Sequence, residues 1–310
     1  MPYDIIGDIH GHASALETLL TQLGYHFAHG RWGHPERQAL FVGDFIDRGP
    51  EQIETLKIVR AMIDAGTARA VQGNHEMNAI GFATRDSQGY LRVRGSKNIH
   101  QHRAFLEAVG LDSDLHKEWV QWFRTLPLWL ELPELRLVHA CWSDMAISNL
   151  RSVLGETALF PDELTPFYRK GHDECVATEI LLKGLEMALP DDVVFLDKDG
   201  VTRKNTRVKW WDSEATTLRR AAVDNVFSET LQDDPLPEGI SLGYHGKKPV
   251  FVGHYWMQGR PFLLSDRVAC VDFSVAKGGV LCAYSFDGEG ILSADKLSWT
   301  PPTPEMTLAP

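Results

Sequence analysis

Three times between Tyr3 and Glu76 a short apolar run meets a glycine followed by Asp or Asn, and the chain then turns helical. Tyr3-Asp4-Ile5-Ile6 leads into Gly7-Asp8-Ile9-His10-Gly11, Ala39-Leu40-Phe41-Val42 into GDFIDRG at 43–49, and Ala68-Arg69-Ala70-Val71-Gln72 into Gly73-Asn74-His75-Glu76. Leu16, Leu19, Leu20 and Leu23 fall at helical spacing within 12–23, and Ile53, Leu56, Ile58, Val59 and Met62 mark a second helix. Such alternation predicts βαβ units around a parallel sheet, whose right-handed crossovers bring successive strand ends to one edge. Ligands of such sheets sit beyond those ends. A turn needs Gly and Asp but no particular His, Asn or Arg, so three sequence-distant polar clusters are expected to share one site.

The stretch 96–124 reads as helical, with Trp119, Val120, Trp122 and Phe123 as its packing face. Leu128–Leu132 and Leu135–Val138 read as strands, the second ending at His139. Residues 159–246 differ in texture: a helical Cys175–Leu189, a hairpin-like 193–211, and the polar, proline-containing Gln232–Gly239. They are expected to form a cap or rim inserted in a single domain over 1–299. Strand patterns resume in PVFVGH, FLLS, VACVDFS, GVLCAYSFDGEG and ILSA, and the tail 300–310, with four prolines, is expected to be loosely docked or disordered.

Composition narrows the function classes. With 44% hydrophobic and 24% charged residues, 310 residues can bury a sizeable core. A net charge of −11 argues against an extended nucleic-acid surface, which needs clustered Lys and Arg, while leaving room for a small anionic substrate. Four cysteines without CxxC spacing predict free thiols in a reducing, cytoplasmic setting. No signal peptide or membrane-length apolar run is recognisable, so no membrane partner is expected. Oligomeric state is not readable.

Five strand ends deliver Asp8, His10, Asp44, Asn74, His139 in LVHACW and His254 in FVGHYW. This imidazole and oxygen set suits Mn²⁺, Fe or Zn²⁺ better than Ca²⁺, which takes oxygen alone, or a structural zinc in a closed Cys/His shell. Six donors exceed what one catalytic ion with open positions requires. Two divalent ions about 3.5–4 Å apart would use them, and Asp44 is the natural bridge.

With GDxHG, GDxxDRG and GNHE in order at strand ends, the chain resembles the calcineurin-like metallophosphoesterases, and within them the phosphoprotein-phosphatase branch. The resemblance implies an α/β fold with a central β-sandwich flanked by helices. It implies that Asp8 and His10 bind the first ion, that Asp44 bridges, and that Asn74, His139 and His254 complete the second. His75 matches the family's general acid, Asp47 the carboxylate that orients it, and Arg48 the guanidinium that, beside Asn74, holds the phosphoryl group. The implied reaction is hydrolysis of a phosphate ester or anhydride through in-line attack by a metal-bound hydroxide, with Mn²⁺ the favoured ion and Fe or Zn alternatives.

Two departures stand out. His139-Ala140-Cys141-Trp142 replaces the His-Gly-Gly usual in protein phosphatases of the branch, and Gly253-His254-Tyr255-Trp256 lacks the second histidine of Gly-His-x-His. The opening YDIIGDIHGH is similar to bacterial diadenosine-tetraphosphatase-like enzymes and to the phosphatase module of RNA-repair proteins. A second phosphate-binding arginine is expected between the last two motifs, with Arg207 the candidate and Arg203 and Lys209 behind it.

Blander readings apply elsewhere. His12, His26, His29, His34, His100, His102, His116, His172 and His245 fall in helical or loop contexts and read mostly as surface residues. Trp142, Trp210, Trp211 and Trp256 are open to two readings, stacking a nucleobase or packing the rim. Cys141 reads as a small buried thiol. Three functions are carried forward: a phosphoesterase of small phosphorylated molecules, dinucleoside polyphosphates first among them; a protein serine/threonine phosphatase; and a non-catalytic scaffold, which the full donor set disfavours.

Overall fold

The apolar runs pair as their repetition requires. In the computed structural model, which describes residues 1–190, 195–196, 202–223, 231, 233, 235–237, 240 and 242–302, they build two sheets. The first takes β1 (Tyr3–Ile6), β2 (Gln38–Phe41) and β3 (Ala68–Ala70). The second takes β4 (Trp129–Glu131), β5 (Arg136–Val138), β6 (Val250–Val252) and β7 (Val268–Cys270). The chain then returns to the first sheet with β8 (Asp272–Phe273), β9 (Val280–Phe286) and β10 (Leu297–Trp299).

β1, β2 and β3 are parallel, with Ile5 opposite Leu40 and Phe41 opposite Ala70, while β9 closes the other side of β1 antiparallel, Ile5 facing Tyr284. β5, β6 and β7 are likewise parallel. Side chains alternate between two cores. Ile5, Leu40, Leu137, Phe251, Ala269 and Tyr284 meet between the sheets. Their neighbours Ile6, Phe41, Val138, Val252 and Cys270 join an outer core that includes residues of the helices α1 (Ala13–Gln22), α2 (Gln52–Asp64) and α3 (Asn74–Ala83). Burial on both faces explains why the strands read as unbroken apolar runs. The fold is thus α/β, a sandwich of sheets flanked by helices.

Several local expectations change. The stretch 96–124 divides into Ser96–Gln101, Arg103–Val109 and α4 (Asp114–Phe123). Gly110 at φ +76° stops the second helix, and Ser113 caps α4 by accepting from the His116 amide. The helix expected over Cys175–Leu189 is Asp173–Lys183. It ends at Gly184, and Glu186–Ala188 pairs instead with Asn205–Arg207. FLLS is not a strand: the amides of Leu264 and Ser265 both turn onto the Val268 carbonyl. ILSA is a bend before β10, fixed by the Ser293 amide on the Tyr284 hydroxyl.

Within 159–246, Met187, Leu189, Val208, Leu218 and Leu242 gather into a small apolar cluster. Trp210 ties it to the sandwich, donating to the Ala140 carbonyl at 3.2 Å and the Tyr255 hydroxyl at 2.9 Å. Of the expected hairpin, Phe195–Leu196 pairs with Thr202–Arg203. Its tip at 197–201, residues Gln232, Asp234, Glu238 and Gly239, and the tail from Thr303 lie outside the described residues. All four cysteines are buried and unpaired, and among the described residues no helix is long and apolar enough to cross a membrane.

Candidate metal centre

The carboxyl ends of β1, β2, β3, β5 and β6 converge, and glycines let them close. A Cβ on Gly253 would lie 1.9 Å from Asp8 Oδ1, and one on Gly73 would lie 2.2 Å from Asp44 Oδ1. Neither distance admits any other residue. The turns are also bent into the left-handed region at side-chain-bearing positions: His10 at φ 46°, Asp44 at 55°, Asp47 at 69°, Arg48 at 73° and His254 at 72°. Such conformations cost of order 1–3 kcal/mol each and persist only where the surroundings enforce them. Glu76 is one enforcer. Its buried carboxylate accepts from the amides of Asp44 and Phe45, both at 2.8 Å, and of Gly73 at 3.0 Å, clamping two strand ends together.

Two donor groups share Asp44: His10, Asp44 and His75 in one, Asp8, Asp44 and His139 in the other, each with its ligand atoms within 4.8 Å of one another. His10 Nε2 stands 3.6 Å from Asp44 Oδ2, and His139 Nε2 stands 3.4 Å from Oδ1. The Asn74 side-chain oxygen lies 3.1 Å from His139 Nε2 and 2.7 Å from His254 Nδ1. Backbone carbonyls fix the rings, since His10 Nδ1 donates to Ile46 and His139 Nδ1 to Val42. That leaves both Nε2 atoms facing Asp44. All six expected donors are therefore brought together, and Asp44 offers one oxygen to each side.

The electrostatics of this cluster fit cations. Burial, then Asp272 and Asp44, hold the Asp8 carboxyl well above the usual range, and burial with Asp44 pushes Glu76 up to about 7. Burial and then His75 pull His10 down to about 3, leaving a neutral imidazole with a free lone pair. Asp44 moves the other way: burial raises it, but His139 and His75 outweigh burial and hold it low. Two buried atoms aimed into the cluster, Asp8 Oδ1 and His10 Nε2, have no hydrogen-bond partner. Orphaned donors to metal among mutually repelling carboxylates are what a divalent cation relieves.

Beside the cluster, Asp47 is gripped twice. His75 Nδ1 meets Oδ2 at 2.5 Å and His102 Nδ1 meets Oδ1 at 2.7 Å. Burial alone would raise Asp47, but His102 and His75 outweigh it and hold the carboxylate low. His75 Nε2 then points toward Asp44, 3.9 Å away. His102 was expected at the surface but is 4% exposed, packed against Phe82 and Phe105; His116 is buried too, accepting from the Asp112 amide. Arg207 reaches the site, its Nη1 lying 3.3 Å from His254 Nε2. Of the four tryptophans, Trp142, Trp210 and Trp211 are core residues, whereas Trp256 is half-buried and stacks on His10 at 5.3 Å.

Sequence reasoning missed Glu76, His102 and Asp272 as site residues. Glu76 and Asp272 stood inside quoted motifs. His102 offered no signal, because its partner Asp47 is 55 residues away.

The fold and its buried His/Asp donor cluster are of the metallophosphoesterase type. Residues 1–144, a little under half of the chain, match the family described as calcineurin-like phosphoesterase, and the GDxHG, GDxxDRG and GNHE motifs and His139 lie within that stretch. The chain is similar to the bis(5'-nucleosyl)-tetraphosphatase PrpE (asymmetrical) of Halalkalibacterium halodurans, 32% identical over 143 residues, 44% of this chain and 55% of that protein. The protein of the same name from Bacillus subtilis strain 168 is 34% identical over 148 residues, 45% of this chain and 57% of that one. The chain thus spans little more than half the length of these relatives. A protein serine/threonine phosphatase structure from Saccharomyces cerevisiae, with similarity to human phosphatase PP5, covers 99% of this chain and 82% of its own at TM-score 0.50 and 14% identity, a likeness of fold alone.

Proposed function

We propose that this chain is a dinuclear metal-dependent phosphoesterase of small phosphorylated molecules, with dinucleoside polyphosphates the first candidates. The observation that carries it is the set of six donors on five strand ends, sharing Asp44 and leaving Asp8 Oδ1 and His10 Nε2 without partners. Similarity to tetraphosphatases of the PrpE type supports the nucleotide reading.

In this reading Asp8, His10 and Asp44 hold one ion, and Asp44, Asn74, His139 and His254 the other. The ion pair, for which Mn²⁺ is our choice, supplies Lewis acidity and an activated water. The chain does the rest. Arg48 and Arg207 bind phosphoryl oxygens, and Arg48 orients the group for in-line displacement. His75, held by Asp47 through Nδ1, delivers a proton from Nε2 to the departing oxygen. Asn74 contributes a donor from its amide while its carbonyl oxygen faces the histidines.

The test is a screen of the purified chain with Mn²⁺ on an aryl phosphate, dinucleoside polyphosphates, nucleotides, cyclic phosphodiesters and phosphopeptides. Hydrolysis of dinucleoside polyphosphates ahead of phosphopeptides is expected. No activity on any ester and no bound transition metal would overturn the reading.

A further inference from the structure

The rim of the site carries two cations on one aromatic ring. Lys277 Nζ lies 4.4 Å from the Trp256 ring centroid and Arg48 Cζ 5.6 Å, so the two charges are at most about 10 Å apart. Neither has an ion pair among the described residues, in a chain of net charge −11. Two like charges over one indole repel each other, and cation–π attraction at a partly exposed ring is weak. An anion between them removes the conflict.

The pair is held in place. Asp272, the buried first residue of β8, accepts from the Trp256 amide at 2.7 Å through Oδ2 and from the Ser274 amide at 3.0 Å through Oδ1. Ser274 begins the short turn Val275–Lys277 and adds a bond from its hydroxyl to the Met257 carbonyl at 2.9 Å. One carboxylate thereby sets both the ring and the turn that carries the lysine. Trp256 stacks on His10, a member of the donor cluster, so Lys277 stands just outside the place where Arg48 would hold the phosphoryl group under attack.

We propose that Lys277, placed over Trp256 beside Arg48, binds the phosphate adjoining the one attacked and makes the site prefer substrates with two or more linked phosphates over simple monoesters. This specificity role rests on the phosphoesterase reading and deepens it. Asp272 acts as the positioning residue for the pair.

The test uses the full chain loaded with excess Mn²⁺ and an aryl phosphate as reporter substrate, inhibited by methylenediphosphonate or by methylphosphonate. Lys277→Met should raise the inhibition constant of the diphosphonate roughly tenfold, the scale of one charge-assisted contact, and that of the monophosphonate less than about twofold. Lys277→Arg should restore most of the loss. Equal shifts for both inhibitors, or none for the diphosphonate, would overturn the proposal. If the loaded chain hydrolyses no ester, the phosphoesterase reading fails instead. Calorimetric binding of the two phosphonates to the loaded parent and Lys277→Met chains then decides the lysine on its own.

Discussion

The floor of the site and its rim are built differently. On the floor, Asp8, His10, Asp44 and His139 are no more than 1% exposed; glycine contacts and the Glu76 clamp lock the first three, and His139 is held by the Gly253 amide on its carbonyl and by its own Nδ1 on Val42. On the rim, Trp256 and Arg207 are half-buried and Lys277 is exposed, supplied by the loop after β6, the strand Asn205–Arg207 and the turn between β8 and β9. A buried floor tolerates no change of geometry, because each donor is also a buried polar group that must be satisfied. The rim can vary with solvent making up the difference. Chemistry is therefore expected to reside in the floor and substrate choice in the rim.

The largest effect that would break this division comes from Asp44→Asn. Activity should fall about a thousandfold or more, with loss of at least one metal by elemental analysis. Full metal occupancy in that variant would remove Asp44 as the bridge. His75→Ala should lower kcat by about 10²–10⁴ while both metals stay bound, and a metal-depleted variant would instead make His75 a ligand. His102→Ala sharpens the boundary of the floor. Freeing Asp47 Oδ1 should cost about 1–3 kcal/mol of stability, read as a lower midpoint in urea, and roughly tenfold in kcat. Unchanged kcat with lowered stability would make His102 purely structural. Arg207→Ala, on the rim, should raise KM roughly tenfold with little loss of kcat. A fall confined to kcat would place Arg207 with the chemistry.

The same division governs what the sequence revealed. Asp8, His10 and Asp44 were legible because their motifs couple a strand end to a glycine with no room for a Cβ, which fixes residue types at short spacing, and His139 because it too ends an apolar strand run. The parallel order of β1, β2 and β3 followed from the same repetition. His102 was not legible. Its ring reaches Asp47 only after the helix Arg103–Val109 packs on α2 and the ring settles against Phe82 and Phe105. FLLS and ILSA have strand-like composition, yet their backbone groups are claimed by turns onto Val268 and Tyr284, a tertiary choice that propensity does not encode. Arg207 could be nominated from sequence, but its approach to His254 depends on the pairing of Glu186–Ala188 with Asn205–Arg207.

Asp8 accepts a hydrogen bond from the His254 amide across 246 residues of chain. A ribosome making this protein therefore releases the first three motifs long before β6 exists, and until β6 docks the early carboxylates lack both the imidazole and the backbone donor that complete their surroundings. Closing so long a loop is slow and entropically unfavourable, so assembly of the centre belongs to the last stage of folding. Metal uptake during refolding should accordingly follow the slowest phase seen by tryptophan fluorescence, making ion capture a report that the final strands have arrived.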